Sequence, residues 1–332
     1  MVGGARVGCK GCRKILTGRS LGGRGYLGPE VGAPDFEEPQ MTRPMLRPAV
    51  AALKWLGWSP ERVGEDFILL ANGLDEGMRK ESLWQWLQGR HLRQLLEGLA
   101  IDCVLDVGAN DGDFASLVRT SGWNGRIVSF EPQTSCRLDL EMAASQDPAW
   151  SVQPVALSDH DGTATLTLRS ASQLTSMNEP RLDSRAAAMP RVRDFLDVVG
   201  TEEIIVRRLD SLLGELPGGP VQRAYLKIDT QGHDEVVLAG AEGILDRVMA
   251  VQLELSRDPL YQATSNYLEI VDRLERLGFG LNATFPVLID HESQALLEFD
   301  GVFVRIKPPD AKEDLHATAS HPERQDPVSD HM

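Results

Sequence analysis

Apolar residues recur with two spacings along this chain, and the change between them predicts where the architecture changes. From residue 45 to residue 100 the spacing is helical, which predicts a helical segment ahead of the first strand. Beyond it, short apolar runs alternate with amphipathic stretches. The runs predict strands at 102–107, 126–131, 150–157, 224–229 and 248–255, and the stretches predict helices at 113–121, 134–145, 234–246 and 265–277. This alternation is typical of a parallel sheet with helices on both faces.

An insertion interrupts the alternation at residues 160–208, where threonine first alternates with apolar residues and a long polar stretch follows. Its predicted parts are a half-exposed strand, a long loop with a short helix, and a second strand paired with the first, at residues 163–168, 170–200 and 204–208. After the insertion, a strand at 279–285 and a last strand at 301–306 predict an antiparallel end to the sheet.

Composition separates the ordered part of the chain from its two ends. The chain has 332 residues, 42% of them apolar, which is enough for one sizeable core. Residues 1–40 contain ten of the 31 glycines, and residues 308–332 lack apolar periodicity, so we expect a disordered leader and a disordered tail. Between them we expect a helical cap at 41–100 and one α/β domain at 101–307.

Charge and hydropathy exclude several classes of partner. The net charge of −15 argues against nucleic acid, because phosphate binding needs a basic face. No apolar run reaches the ~18–20 residues of a membrane span, and no secretory signal is present, so we expect a cytoplasmic protein. Cys9 and Cys12 form a C-x-x-C pair without two further ligands nearby, which does not make a zinc site. The sequence leaves the oligomeric state open.

A glycine turn at residues 104–112 (VLDVGANDG) holds most of the chemical information. A strand that enters such a turn and a helix that leaves it place backbone N–H groups at the sheet edge where cofactors bind. Asn110 stands where the dinucleotide pattern G-x-G-x-x-G needs glycine, although Asn can also adopt the positive φ of the turn. Asp106 suits the ammonium group of a bound amino acid and would repel a pyrophosphate. The turn therefore favours S-adenosylmethionine over a dinucleotide.

A second cofactor signal lies at the end of the next strand. Glu131 follows Gly108 by 23 residues. An acidic residue about 20 residues beyond the turn, at the tip of the second strand, is placed to accept hydrogen bonds from the two ribose hydroxyls of a nucleoside.

Three further side chains converge on the same edge. Asp229 ends one predicted strand, Glu254 lies near the end of its neighbour, and His233 is in the turn that follows Asp229. Two carboxylates and an imidazole can serve as general base or hold a metal that activates a hydroxyl group. The alternative is structural: Asp229 caps the next helix, Glu254 pairs with a base such as Arg257, and His233 packs under the loop.

These segments together resemble the FkbM-type methyltransferases, which depend on S-adenosylmethionine. The resemblance covers roughly residues 100–306, and the matching stretches are VLDVGANDGDFA, IVSFEP, VALSDHDGTATL, VRRLDSLL, YLKIDTQGHDEVVLAGAEGIL and VQLELS. It implies an α/β fold of the Rossmann-like class I type, with a mostly parallel sheet, an antiparallel last strand and a helical N-terminal cap. The residues that it implies for cofactor binding are Asp106, Gly108, Asn110, Gly112 and Glu131, with Ala156 and Leu157 beside the adenine.

The resemblance implies methyl transfer, typically to a hydroxyl group of a sugar, a glycan or a secondary metabolite. One departure concerns Gln231, because many family members carry glutamate there in a D-x-E-G pattern. A neutral Gln231 cannot act as a base or as an anionic metal ligand, and only two carboxylates converge. A divalent metal is therefore possible but not favoured.

Three other functions stay open at this point. An N- or C-methyltransferase could use the same scaffold, and an amine acceptor would need less help from a base. A nicotinamide-dependent oxidoreductase is disfavoured by Asp106 and by the broken glycine pattern. A module that binds the cofactor without catalysis is also compatible with the motifs, because fold does not fix function.

Overall fold

The computed structural model of the chain describes residues 16–17, 58–63, 66–71, 76–290 and 292–306, with side chains from Leu83 onward except at 191 and 291. The chain divides into two compact units, Met1–Arg90 and His91–Met332. Apart from Leu16–Thr17, the predicted leader lies outside the described residues, and so do Cys9, Cys12 and the predicted tail.

The first unit contains a small antiparallel sheet where the sequence predicts helix. Its described strands are β1 Leu16–Thr17, β2 Trp58–Val63 and β3 Asp66–Ala71, in the order β1-β3-β2. The prediction of helix across residues 45–100 is therefore wrong over this hairpin, and disorder is wrong for Leu16–Thr17. Pro60 explains part of the difference, because proline breaks a helix but is tolerated in an edge strand such as β2. A short apolar run like Asp66–Ala71 fits helix and strand equally well.

The remaining elements follow the predicted alternation closely. The described strands are β4 Cys103–Val107, β5 Arg126–Phe130, β6 Trp150–Gln153, β7 Ala156–Leu157, β8 Gly162–Arg169, β9 Val198–Arg207, β10 Ala224–Ile228, β11 Val248–Ser256, β12 Phe279–Asp290 and β13 Ala295–Arg305. The described α-helices are α1 Glu76–Gly98, α2 Asp113–Thr120, α3 Thr134–Ala144, α4 Arg185–Ala188, α5 Pro190–Arg193, α6 Leu209–Leu212, α7 Asp234–Gly240 and α8 Tyr267–Arg276. Short 3₁₀ turns lie at Ser172–Leu174, Leu213–Glu215 and Glu242–Arg247.

The main sheet of the described residues has seven strands in the order β12-β13-β11-β10-β4-β5-β6. The five strands from β11 to β6 run parallel, and β13 runs antiparallel between β11 and β12. The predicted mostly parallel sheet with an antiparallel end is confirmed. Since parallel strands end together, the turns after β4, β5 and β10 meet at one edge.

Helices cover both faces of this sheet, which explains the continuous apolar runs of its central strands. One face packs against α6, α7 and α8, and the other packs against α1, α2 and α3. Alternate residues of each strand reach opposite faces. On β4 and β10, the face toward α2 carries Val104 and Tyr225, followed by the charged residues Asp106 and Lys227.

Within the described residues, the insertion and the preceding strand β7 form a separate three-stranded sheet. Antiparallel β8 and β9 confirm the predicted pair, and β7 runs parallel to β9. The polar stretch between β8 and β9 contains the 3₁₀ turn and the helices α4 and α5. These helices are fixed by a small apolar cluster that includes Ala186, Ala187, Val192 and Tyr261.

The turn after β4 passes directly against the end of β10. Gly108 has φ +72°, and a Cβ atom added there would lie 1.9 Å from the backbone oxygen of Asp229. The backbone N–H of Asp229 donates to the carbonyl of Val107 at 3.0 Å. The glycine at position 108 is therefore required by the contact between two protein backbones, before any cofactor is considered.

Replacing Gly108 by alanine should lower the free energy of unfolding by more than about 2 kcal/mol, because the Cβ clashes with backbone and the φ is left-handed. Gly98→Ala is the matched control, since nothing lies within 4 Å of an added Cβ there. We expect it to be neutral or slightly stabilising. Denaturant titration of both variants measures the difference, and equal midpoints would contradict the contact.

Candidate cofactor and acceptor site

A cleft that is partly open to solvent lies at the carboxyl edge of the main sheet. Its lining includes six residues that the sequence predicts or implies for the site, namely Gly108, Asn110, Glu131, Ala156, Leu157 and Asp229. The insertion contributes Leu166, Ser172, Gln173, Thr175, Ser176 and Met177. The cleft thus lies between the glycine turn and the insertion.

The glycine turn is held by backbone hydrogen bonds to the end of β5. The N–H groups of Gly108 and Ala109 both donate to the carbonyl of Phe130 at 3.1 Å. Asn110 has φ +48°, which confirms that asparagine makes this turn. Its N–H donates to Oε2 of Glu131 at 2.7 Å.

Glu131 connects two loops of the cleft through its carboxylate. Its Oε1 accepts a hydrogen bond from the N–H of Gln133 at 2.7 Å, while Oε2 accepts from Asn110. The residue is 7% exposed, and burial raises the pKa of this carboxyl to about 6, against two backbone hydrogen bonds that lower it. Each oxygen keeps a further lone pair, so the carboxylate can also accept from a diol in the cleft.

Asp106 does not reach the cleft, contrary to the predicted contact with a cofactor ammonium group. Its carboxylate is 0% exposed on the sheet face toward α2. Oδ2 accepts from Ser129 Oγ at 3.0 Å, and Lys227 Nζ lies 3.5 Å from Oδ1. Burial raises the pKa of this carboxyl, and Lys227 opposes the rise. The strand register explains the placement, because Asp106 pairs laterally with Ser129 and Lys227.

Gly112 also lies away from the cleft lining. It begins α2 with φ +93°, and an added Cβ would lie 2.9 Å from Leu140 Cδ1 and 3.1 Å from the Trp150 ring. This glycine therefore allows close packing at the start of a helix, and its implied contact with the cofactor stays a prediction.

Asp229 is the predicted acceptor-side residue that does line the cleft. Its side chain is 39% exposed, and both of its oxygens have partners. Lys227 Nζ lies 3.5 Å from Oδ2, and Gln231 Nε2 donates to Oδ1 at 3.0 Å. The proposed alternative, a helix cap, does not fit, because α7 begins five residues later and its own Asp234 binds the turn at Thr230.

Gln231 occupies the position at which the family pattern has glutamate, and it bridges two carboxylates. Its Nε2 donates to Asp229 and also to Glu254 Oε2 at 3.3 Å. Its Oε1 accepts from the Tyr261 hydroxyl at 3.4 Å. An amide can donate to both acids, whereas a carboxylate would repel them.

The insertion is fastened to this same turn. Ser176 Oγ donates to the carbonyl of Gln231 at 2.7 Å, and Asn178 Nδ2 donates to the carbonyl of Gly232 at 2.6 Å. The residues that wall the cleft from the insertion side are therefore tied to the loop that follows Asp229.

Glu254 is half-buried and linked to Asp229 through the amide of Gln231. Burial raises its pKa well above the ordinary value, and the charges of Glu298, Asp229 and Asp300 raise it further. The same causes, burial first and then the charge of Asp229, raise the pKa of Glu298 to about 7. The raised pKa values favour proton binding by these two carboxyls, which reduces the negative charge around Asp229.

His233 lies outside the cleft lining, and its supporting role beside Asp229 stays a prediction. Its Nε2 is 3.2 Å from Ser158 Oγ, in the turn after β7. Burial lowers the pKa of this imidazole. The left-handed residues Gln231 and Gly232 turn the chain away from the cleft before His233 is reached.

Lys227 is the site residue that sequence reasoning missed. It lies in β10, whose five residues are all buried, and its own exposure is 7%. A lysine within a fully buried strand is rare unless it is paired, and this is the signal that could have found it.

No group of three or more His, Cys, Asp and Glu residues arranged for a metal ion is found in the described ranges. Across the same part of the chain, each helix is too short or too polar to cross a bilayer.

Glu298→Gln should stabilise the protein at alkaline pH. The raised pKa means that this group favours folding below its ordinary pKa of 4.5 and loses that contribution as the pH rises through about 7. At pH 8 we expect the variant to exceed wild type by about 1 kcal/mol or more in unfolding free energy. At pH 4.5 the difference should nearly vanish, and exposed Glu292→Gln should show no such trend. A pH-independent difference in urea titrations would contradict this assignment.

A model of the FkbM methyltransferase domain matches residues 106–281, more than half of the chain. The curated protein AmbE, the AMB antimetabolite synthetase of Pseudomonas aeruginosa, is 29% identical over 213 residues. That alignment covers 56% of this chain and 10% of the synthetase, so the chain spans about a tenth of this relative's length.

Solved structures show weaker likenesses. The methyltransferase FkbM of Methylobacillus flagellatus KT is 15% identical, with 61% of this chain and 43% of that chain covered and a TM-score of 0.36. The magnesium protoporphyrin IX methyltransferase of Synechocystis PCC 6803, with bound S-adenosylmethionine, is 10% identical, with 71% and 86% covered and a TM-score of 0.37. TM-scores this low carry no weight for function. The family match itself runs from the glycine turn into β12, and the chain therefore belongs to the FkbM family of S-adenosylmethionine-dependent methyltransferases.

Proposed function

We propose that the protein transfers a methyl group from S-adenosylmethionine to a hydroxyl group of a sugar, glycan or secondary metabolite. The observation that carries the proposal is the carboxylate of Asp229, which lines the cleft beside the glycine turn and is held by Lys227 and Gln231. A hydroxyl acceptor must lose its proton during methylation, and a positioned carboxylate can take it.

In this proposal the cofactor lies along the turns after β4, β5 and β7. Glu131 accepts the ribose hydroxyls, Ala156 and Leu157 flank the adenine, and the backbone at Gly108 and Asn110 follows the remainder of the cofactor. Two observations support this arrangement. All five of these residues line the cleft, and the carboxylate of Glu131 has lone pairs that no described donor uses. In this proposal Asp106 and Gly112 serve the structure around the glycine turn: Asp106 is buried against Ser129 and Lys227, and Gly112 packs at the start of α2.

Bound S-adenosylmethionine supplies a methyl group that is already activated. The protein's own task is to align the acceptor oxygen and to accept its proton. Asp229 accepts that proton, while Gln231 and Lys227 hold its two oxygens. The raised pKa of Glu254 favours its protonated form, so this proposal assigns the base role to Asp229. His233 contacts Ser158 outside the cleft lining, and this proposal gives it no role.

The acceptor lies against the insertion, whose Ser172–Met177 segment walls the cleft opposite the glycine turn. The partial similarity to an antimetabolite synthetase supports a secondary metabolite. Transfer to nitrogen or carbon is the alternative on this scaffold. A nicotinamide-dependent function does not accord with membership of a methyltransferase family.

Glu131→Gln and Glu131→Ala should weaken binding of S-adenosylhomocysteine about 10- to 100-fold, the equivalent of about 1.5–3 kcal/mol for hydrogen bonds to a charged acceptor. The wild-type affinity should fall as the pH drops through about 6, because the carboxyl then becomes protonated. Glu131→Gln should lack this step. Titration calorimetry between pH 5 and pH 7.5 measures both effects, with Glu141→Gln on the exposed side of α3 as control. Unchanged binding in Glu131→Ala would exclude the ribose role.

Asp229→Asn should lower kcat for hydroxyl acceptors by about 10²–10⁴ while S-adenosylhomocysteine affinity stays within about threefold. Glu254→Gln should retain more activity than Asp229→Asn, because the raised pKa of Glu254 favours the protonated form, of which glutamine is a neutral isostere. The assay follows transfer from labelled S-adenosylmethionine to paired hydroxyl and amine acceptors, with EDTA or Mg²⁺. Full activity of Asp229→Asn would overturn the proposed base. Loss of activity in EDTA, restored by Mg²⁺, would overturn the metal-free form.

A further inference from the structure

Polar contacts continue from Asp229 away from the cleft into the buried sheet. Trp150 Nε1 donates to Ser129 Oγ at 3.0 Å, and Ser129 Oγ donates to Asp106 Oδ2 at 3.0 Å. Lys227 Nζ then lies 3.5 Å from Asp106 Oδ1 and 3.5 Å from Asp229 Oδ2. This row crosses the neighbouring strands β6, β5, β4 and β10 and ends at the cleft.

The ammonium of Lys227 is buried among polar and aromatic neighbours. Besides the two carboxylates, it donates to the carbonyl of Gly108 at 3.3 Å and lies 5.5 Å from the centre of the Phe114 ring. Burial acts against the charged form, but Asp229, Asp106 and Asp300 outweigh it, so the pKa of Lys227 lies above its ordinary value. The residue is therefore a permanent cation between two carboxylates.

The two carboxylates differ in what they can do. Asp106 is fully buried, whereas Asp229 is 39% exposed and lines the cleft. Asp106 can thus fix the position of the ammonium, and the ammonium in turn can fix Asp229. Gln231 holds the other oxygen of Asp229, so the plane of that carboxylate is set from two sides.

We propose that Lys227 is a positioning residue for methyl transfer, whose ammonium, anchored on buried Asp106, holds the carboxylate of Asp229 in the orientation that accepts the acceptor's proton. This inference rests on the proposed role of Asp229. It also assigns Asp106 to the support of Lys227 instead of to direct contact with the cofactor.

The experiment separates positioning from folding by removing the buried charges singly and together. Lys227→Met leaves Asp106 buried without its cation and should lower Tm sharply. The double variant Asp106→Asn with Lys227→Met removes both charges and should recover most of the Tm. Its kcat should nevertheless stay about 10²-fold below wild type, because misplacement of a reacting group by about 1 Å has an effect of this size. Its S-adenosylhomocysteine affinity should stay near wild type.

The pH profile gives a second readout. A neighbouring cation favours an ionised carboxylate, so the acid limb of kcat should move to higher pH in the double variant. The other ionisable groups that act on Lys227 and Asp229 are Asp300, Glu254, Glu298 and Asp234. All four are unchanged in every variant. The single variant Lys227→Arg keeps the positive charge, so the acid limb of its kcat profile should lie at the wild-type pH.

Each other outcome has a distinct meaning. Recovery of kcat together with Tm in the double variant would show that the pair serves folding alone and would overturn the positioning role. Loss of S-adenosylhomocysteine binding in the double variant would return Asp106 to the cofactor and overturn its role as anchor. Full activity in Asp229→Asn would instead remove the proposed function, irrespective of the result for Lys227.

Discussion

The site depends on the contact between the backbone of Gly108 and that of Asp229. An added Cβ would lie 1.9 Å from the Asp229 carbonyl, so the turn after β4 and the end of β10 can approach this closely only through glycine. The contact brings the segment that is implied to hold a cofactor against the segment that carries the exposed carboxylate. Parallel pairing of β4 and β10 supplies the alignment, and the glycine removes the last steric barrier.

The distribution of charge follows from that closeness. Asp229, Glu254, Glu298 and Asp300 interact with one another at the ends of three strands, and Lys227 is a buried cation among them. One ammonium does not balance these acids. The raised pKa values of Glu254 and Glu298 favour proton binding, which reduces the negative charge of this cluster. The amide of Gln231 provides hydrogen bonds without adding a further negative charge.

The sequence predicts the central sheet well because its strands are buried on both faces and read as continuous apolar runs. It fails over the hairpin of β2 and β3, where short runs fit helix and strand alike. In the site, Glu131, Ala156 and Leu157 line the cleft as implied, because each lies at or just beyond the end of a strand.

Asp106, Gly112 and His233 do not line the cleft, since strand register and turn conformation decide whether a side chain meets a sheet face, a helix or the edge. Sequence spacing along one strand contains no information about which residues lie beside it. The bridge that Gln231 forms between Asp229 and Glu254 could not be predicted from the sequence for the same reason, because it depends on the pairing of β10 with β11.

The hydrogen bonds from Ser176 and Asn178 to the carbonyls of Gln231 and Gly232 have a consequence for how this family can diversify. These bonds use main-chain acceptors, which are present whatever residues occupy the turn. An exchanged insertion can therefore dock in the same way if it keeps two suitably placed donors. The insertion's wall of the cleft could then vary in shape from one relative to another while its docking to the turn after Asp229 is inherited unchanged.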